Sequence, residues 1–442
     1  MMAKPIIVIS CPPIAGHTNP LLPHARHLIN QGHEIHFIAG SESKKAIEET
    51  GATFYPVADV VTAQNTEEIL AIPEGPERFF HAIKVHFIGA APIAMEALKG
   101  TLEKVREQNP TRKIVILQEY GAMGVWPFLL GAPLPKGYDR FPRVVTFSTV
   151  PLPISSMDTA PFGPGMAPDS SEEGRVRNAG MYEAGKWFSD GLTEYANYLY
   201  ETLGAKEKVT IGIMDYYATG ADATVQPCSA SLEYSRSDLS PKIHYIGALP
   251  RREVDPSLTL PEWWGELLAA KQEGKKVVFV TQGTYAVDYS MLLVPTIKAL
   301  AEKDDCLVIA VLGVKGATLE DVPVPANTKV LDYFSYEAIL PHADVVVTNG
   351  GYGGFMQSVM NGVPMVLAGA GQDKSEVCMR GQQAGVAVNL NAASPSLEAI
   401  QDGVSTILAD GRYKARCEEI RRENEALDCR ARLEQLINGA CA

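Results

Sequence analysis

Short apolar runs alternate with amphipathic stretches along most of this chain. Residues 6–10 (Ile-Ile-Val-Ile-Ser) are almost wholly apolar and mostly β-branched, the pattern of a buried strand. The next stretch, Cys11-Pro12-Pro13-Ile14-Ala15-Gly16-His17, is predicted as a loop, because two prolines and a glycine break both periods. Asn19-Pro20 then opens a helix to about Asn30, with Leu21, Leu22, Ala25, Leu28 and Ile29 on one face. Gln31-Gly32 closes it, and residues 34–39 form a second strand, completing a βαβ unit. Residues 43–50 predict a short helix and 53–57 a further strand.

From about residue 59 to 100 the pattern is weaker, although 77–90 has helical spacing with Phe79, Phe80, Ile83 and Phe87 on one side. Buried strands are predicted at 113–117 and 143–148, with an apolar segment of helical length, 121–131, between them. Residues 151–171, rich in Pro, Gly, Ser and Met, predict a long loop, and such loops are usually functional or mobile. Helix is expected over 178–204, and short strands at 223–225 and 243–246. Proline and charge interleave over 248–275, and the rhythm then restarts. Apolar runs recur at 276–281, 306–312, 328–331, 338–340, 343–347, 364–368 and 387–390, with a helix over 291–303. Two such β/α series predict an α/β protein of two doubly wound Rossmann-like domains facing each other across a cleft. The expected division is 1–247, a linker over 248–275, 276–420, and a C-terminal helix over 421–442 that packs back on the first domain. In such sheets ligands bind beyond the carboxyl ends of the strands.

The stretch with most chemistry is Thr348-Asn349-Gly350-Gly351-Tyr352-Gly353-Gly354-Phe355-Met356-Gln357. It follows an apolar strand and has four glycines within five residues, then an apolar helix to Met360. Strand, glycine turn and helix aim free backbone N–H groups at an anion, so a phosphate or diphosphate is the expected ligand. A tight turn with no ligand is the competing reading. A net charge of −13 disfavours nucleic acid. The seven cysteines form no C-x-x-C pair, which suggests reduced thiols rather than zinc or disulfides. No apolar stretch is long enough to span a bilayer, and the apolar run at residues 5–10 is too short for a leader, so a cytoplasmic protein is expected.

With these residues placed, the chain resembles the family 1 glycosyltransferases, nucleotide-sugar enzymes of GT-B fold. The likeness rests on Thr281-Gln282-Gly283-Thr284, Asp332-Tyr333-Phe334, the glycine stretch, Gly362-Val363-Pro364 and Asp373-Lys374, in that order. In the first half it rests on Ala15-Gly16-His17-Thr18-Asn19-Pro20. The resemblance implies a UDP-sugar as co-substrate, held by the second domain, with no other cofactor. It puts Tyr333 on the base with Phe334 beside it, and Gly351, Tyr352, Gly353 and Gly354 on the diphosphate. Thr284 is implied near phosphate, Asp373 on the sugar hydroxyls, and Gly16 beside the donor. Three positions depart from the family pattern. Asn349 replaces a phosphate-binding histidine, Gln357 replaces a ribose-binding glutamate, and Lys374 stands where glutamine is common.

Moving a sugar to a neutral hydroxyl needs a base and a stabilised leaving group. His17 suits the base, since imidazole is mostly neutral at pH 7. The acid after the strand at 113–117 is Glu119, the expected orienting partner; an offset of one residue would put Gln118 there instead. Leaving-group stabilisation would come from backbone amides at Gly353 and Gly354. No acidic metal cluster is visible near that loop, so a metal-independent displacement with inversion is expected. Phe79, Phe87, Met123, Trp126, Phe147 and the loop over 151–166 are candidate walls for a flat apolar acceptor such as a phenol, flavonoid or polyketide. Core packing is the competing reading for each of them. The expected reaction moves glucose from UDP-glucose to such an acceptor, in a monomer or weak dimer. Two other functions stay open: a protein that binds nucleotide sugar or aglycone without turnover, and a nucleotide-sugar epimerase or hydrolase.

Overall fold

The unbroken apolar runs become strands because both of their faces are covered. In the computed structural model, which describes residues 4–284, 286–320 and 322–439, alternate side chains of each central strand enter different cores. Ile6 and Val8 enter one and Ile7 and Ile9 another; Val277 and Phe279 separate from Val278 and Val280 in the same way.

Among the described residues two parallel sheets form. The first contains β1 (Ile6–Ser10), β2 (Ile35–Ala39), β3 (Thr53–Pro56), β4 (Ile114–Glu119), β5 (Arg143–Phe147), β6 (Ala223–Gln226) and β7 (Ile243–Tyr245), in the order β3-β2-β1-β4-β5-β6-β7. The second contains β8 (Lys276–Thr281), β9 (Cys306–Val311), β10 (Thr328–Leu331), β11 (Val345–Thr348), β12 (Met365–Leu367) and β13 (Ala387–Asn389), in the order β10-β9-β8-β11-β12-β13. With helices on both faces, this is the bilobed GT-B architecture. Strand order reverses between β1 and β4 in one lobe and between β8 and β11 in the other. A crevice opens at such a point, so the loops after these four strands are the natural site.

Several elements differ from expectation for identifiable reasons. The helix expected from Asn19 to Asn30 is three pieces, Ala15–Thr18, the 3-10 turn Asn19–Leu21 and Leu22–Asn30, because Pro20 and Pro23 lack an N–H. The expected helix at 121–131 shrinks to Trp126–Leu129. Gly124 there lies so close to the Ala94 carbonyl that a Cβ would sit 2.6 Å from it. Residues 77–90 form Pro76–Ala82, a π-helical turn Ile83–Phe87 and a 3-10 turn Ile88–Ala90. The helical region at 178–204 is two helices, Glu172–Ala184 and Lys186–Thr202, divided at Gly185. The run at 338–340, read in the strand series, is helical: Tyr336–Ile339 and then Leu340–His342. Ala91–Gln108, in the weakly patterned region, is a long helix with Leu98, Leu102 and Val105 inward. Within the expected linker, Trp264–Gln272 is a helix that buries Trp264, Leu267 and Ala270 beneath the second sheet.

The chain ends in two helices, Gly411–Leu427 and Cys429–Gly439, joined at Asp428 in a left-handed conformation (φ 47°). Cys429, Leu433 and Ile437 repeat every four residues and pack with Ile7 and Leu28 of the first lobe. Glu434 adds polar ties to Lys4 Nζ at 2.7 Å and His33 Nε2 at 3.3 Å. The last part of the expected C-terminal helix, with Cys441, lies outside the described residues, as do residues 1–3.

Candidate active site

The turn Ala15–Thr18 carries Gly16 and His17 out from the end of β1, and Glu119 is the last residue of β4. These strands are neighbours, with Ser10 opposite Gln118. Alternation along β4 sends Gln118 and Glu119 to opposite faces. Gln118 turns its amide to Thr146 Oγ1, while Glu119 Oε1 lies 2.8 Å from His17 Nδ1. The carboxylate beside the imidazole is therefore that of Glu119.

The Glu119 side chain is fully buried, and its Oε2 accepts the Gly121 N–H at 2.7 Å. Its Oε1 also accepts from the Thr149 hydroxyl, which is itself 3.3 Å from His17 Nδ1. Held this way, Glu119 keeps the proton of a neutral His17 on Nδ1 and leaves Nε2 as the acceptor nitrogen. Burial presses the His17 pKa down. The charge and hydrogen bond of Glu119, with the charge of Asp373, outweigh that effect, and the net shift is upward from 6.5.

Asp373 comes from the second lobe, so the two halves converge here. Burial raises its carboxyl pKa, against the opposing pull of Lys374, His17 and Arg380. Asp373 and Lys374 begin the helix Lys374–Gln383.

The helix Tyr352–Met360 starts at Gly351 with no side-chain cap. The N–H groups of its first turn, including those of Gly353 and Gly354, thus lack intrahelical partners. A Cβ on either glycine would meet no protein atom within 4 Å, so the face is open. Gln357, one turn on, has a buried Oε1 with no hydrogen-bond partner, which suits a hydroxyl donor such as a ribose.

Two residues of this segment point elsewhere than expected. Asn349 donates its amide to the Gln282 carbonyl at 2.9 Å, tying the end of β11 to the end of β8, so that hydrogen is already engaged. Tyr352 reaches the first lobe, where its hydroxyl accepts from Gln226 Nε2 at 3.0 Å. Thr284 is exposed on the turn after β8, next to Gly283 with φ +76°. Asp332 accepts the N–H groups of Gly316 and Tyr333, each at 2.7 Å, and so fixes the turn that presents Tyr333. Tyr333 is 50% exposed, with Lys315 Nζ 5.4 Å from its ring, whereas Phe334 turns inward to Trp264. An exposed ring on a fixed turn can stack on a base.

Of the proposed acceptor walls, Phe87 stands beside the imidazole, with ring centroids 5.4 Å apart. Its position on a π-helical turn fits the tendency of such turns to occur at functional sites. Phe79 is half-buried against Phe188. Met123, Trp126 and Phe147 are core residues: Trp126 stacks on Tyr217, and Phe147 packs edge-on against His24. They form no open wall because the strands and helices around them close over both faces. Thr149 was missed from sequence, although a hydroxyl just beyond β5, the strand next to β4, was a usable signal.

Among the described residues no group of three or more His, Cys, Asp or Glu side chains could hold a metal ion, and no helix is long and apolar enough to cross a membrane.

Comparison with known proteins adds three findings. Residues 295–436 match the family described as Erythromycin biosynthesis protein CIII-like, C-terminal domain. UDP-glucosyltransferase 1 of Beauveria bassiana (strain ARSEF 2860) is 40% identical over 446 residues, covering 98% of this chain and 94% of that protein; UDP-glucosyltransferase B1 of Starmerella bombicola is 34% identical, covering 96% and 95%. A crystal structure described as the glycotransferase of kitacinnamycin matches with a TM-score of 0.72 over 100% of both chains, at 19% identity, a likeness of fold alone.

Proposed function

Because the chain belongs to the family 1 UDP-glycosyltransferases, enzymes that move a sugar from a UDP-sugar to a small-molecule acceptor, we propose that its sugar is glucose and its acceptor the hydroxyl of a small hydrophobic molecule. A phenol, flavonoid or polyketide is the class that fits. The names of the relatives at 40% and 34% identity support glucose. The observation that carries the reading is the His17–Glu119 pair at 2.8 Å, with Phe87 on one side and Asp373 across the cleft.

In this reading residues 1–247 receive the acceptor and 276–420 the nucleotide sugar, joined by 248–275. Phe87 offers a flat apolar surface for an aglycone beside the base. His17 Nε2 takes the hydroxyl proton as the acceptor oxygen attacks the anomeric carbon. The bond from that carbon to the UDP oxygen breaks, UDP leaves, and configuration at the carbon inverts. Glu119 stabilises the imidazolium that forms, while amides at Gly353 and Gly354 and the positive helix end meet the charge growing on the diphosphate. Asp373 is placed to hold sugar hydroxyls.

The test is to incubate the protein with UDP-glucose and a panel of phenolic acceptors and look for a hexose added to the acceptor by mass spectrometry. Saturable UDP-glucose binding with no such product, or free or altered sugar without acceptor, would point to the competing functions. Exchanging UDP-glucose for other UDP-sugars tests the sugar.

The pH profile follows from the raised His17 pKa. The base works when deprotonated, so kcat/KM should climb with pH through a midpoint above 6.5. Glu119→Gln removes that residue's charge and leaves at most a neutral amide oxygen to accept from Nδ1, so the upward contributions shrink. The midpoint should fall, and transfer should slow by much less than the roughly 10²–10⁴-fold expected on loss of the base itself. A profile identical to wild type would remove Glu119 from the pair.

A further inference from the structure

Away from the reacting groups, the two lobes are joined by a network of charged side chains that solvent does not reach. Glu376 and Arg380 share one face of the Lys374–Gln383 helix and pair at 2.8 Å. Arg380 Nε also binds Glu233 Oε2 of the first lobe at 3.0 Å, and its guanidinium lies 4.1 Å from the ring centre of Tyr234. Glu233 in turn accepts the Leu152 N–H at 2.8 Å, at the start of the long loop over 151–171. Glu376 Oε1 accepts two backbone N–H groups of that same loop, from Gly163 at 2.8 Å and Gly165 at 2.9 Å. The side chains of Glu233, Glu376 and Arg380 are each at most 4% exposed. Gly165 (φ +65°) lies so close to the Ser375 carbonyl oxygen that a Cβ there would overlap it.

Arg236, equally buried, also pairs with Glu233 Oε2 at 3.3 Å, so four charges are buried together. Burying them is costly, and such networks are weak sources of stability; their best-attested use is to fix one arrangement among several. Here the arrangement fixed is that of the helix whose first residues are Asp373 and Lys374. We propose that Glu376 is a positioning residue: with Arg380 and Glu233 it latches the 163–165 loop of the acceptor lobe to the donor helix, and so sets Asp373 opposite His17. The consequence for turnover rests on the reading of the site given above; the consequence for lobe position does not. With the latch closed, the loop and the donor helix move as one body, and a sugar held by Asp373 meets an acceptor already in register with Nε2. Without it the helix keeps its own fold and the second lobe keeps its nucleotide site, but the two reactants lose alignment.

Two substitutions open the latch from opposite sides. Glu376→Gln removes the charge on the helix. Gly165→Ala pushes the loop off Ser375 and changes none of the charged side chains, so it serves even where the first variant folds poorly. Three readouts are compared with wild type: the ligand-free radius of gyration by small-angle scattering, UDP affinity by calorimetry, and kcat and KM for UDP-glucose. In both variants the radius of gyration should rise, UDP affinity should stay within about twofold, and kcat should fall by about 10- to 100-fold, the usual effect of misplaced reactants. Unchanged scattering with unchanged kcat overturns the proposal. So does a matching loss of UDP affinity and kcat at unchanged radius of gyration, which would make Glu376 a local part of the donor site. If wild type transfers no hexose to any acceptor, scattering and UDP affinity still decide the latch, and the failure belongs to the proposed reaction.

Discussion

His17→Ala should reduce transfer by on the order of 10²–10⁴-fold, the usual contribution of a general base, while UDP affinity stays within a few-fold. The asymmetry follows from where the side chain sits. It projects from the turn after β1, bonded to Glu119 and Thr149 and packed by Phe87, all within the first lobe. Its link to the second lobe is the charge of Asp373, which in the proposed reading holds the sugar rather than the nucleotide. Alanine removes the nitrogen proposed to take the acceptor proton and leaves the amides of the Tyr352–Met360 helix untouched. Steady-state rates and calorimetry on the same variant check both halves. Equal losses in both would put His17 in the donor site instead.

Gly353→Ala should have the second large effect, in the opposite pattern: UDP and UDP-glucose affinity should fall by about tenfold or more, because a methyl group would stand where the phosphate must approach the backbone. The protein itself offers no obstacle, since nothing lies within 4 Å of the new Cβ. Removing a glycine from a helix normally stabilises it by roughly 0.5–1 kcal/mol, so the melting temperature of the ligand-free variant should hold or rise slightly. A more stable protein that binds UDP less well is a combination that general damage cannot mimic. Wild-type affinity would remove the diphosphate from this helix end.

The fold was legible in the sequence because its strands are buried on both faces. An uninterrupted run such as Ile6–Ser10 or Cys306–Val311 has few alternatives, and the two β/α series give the two lobes. The helices were harder. Ala91–Gln108 carries charge around a narrow apolar stripe, and Trp264–Gln272 is preceded by prolines, at 250, 256 and 261, that suggested only a linker. At the site, strand alternation settled what counting along the chain could not, the choice between Gln118 and Glu119. Aromatic character alone misled at Trp126 and Phe147, since a core residue and a pocket wall share the same composition; only burial separates them. The Glu233–Arg380–Glu376 network was invisible because Glu233 is distant in sequence from the Glu376–Arg380 pair, and an i,i+4 pair on a helix is individually ordinary.

The helix Cys429–Gly439 has a consequence for the order in which the molecule can be made. It supplies Cys429, Leu433 and Ile437 to the same core as Ile7 and Leu28. During synthesis, the first sheet is complete in sequence once β7 has emerged, but part of one face, already partly covered by Leu21, Ala25, Leu28 and Ile47, then awaits Cys429, Leu433 and Ile437. At about 5–20 residues per second that interval is roughly 10–40 s, during which an apolar patch on the nascent first lobe stays uncovered while the second lobe is translated. The core of the first lobe is therefore completed only after the second lobe has been translated.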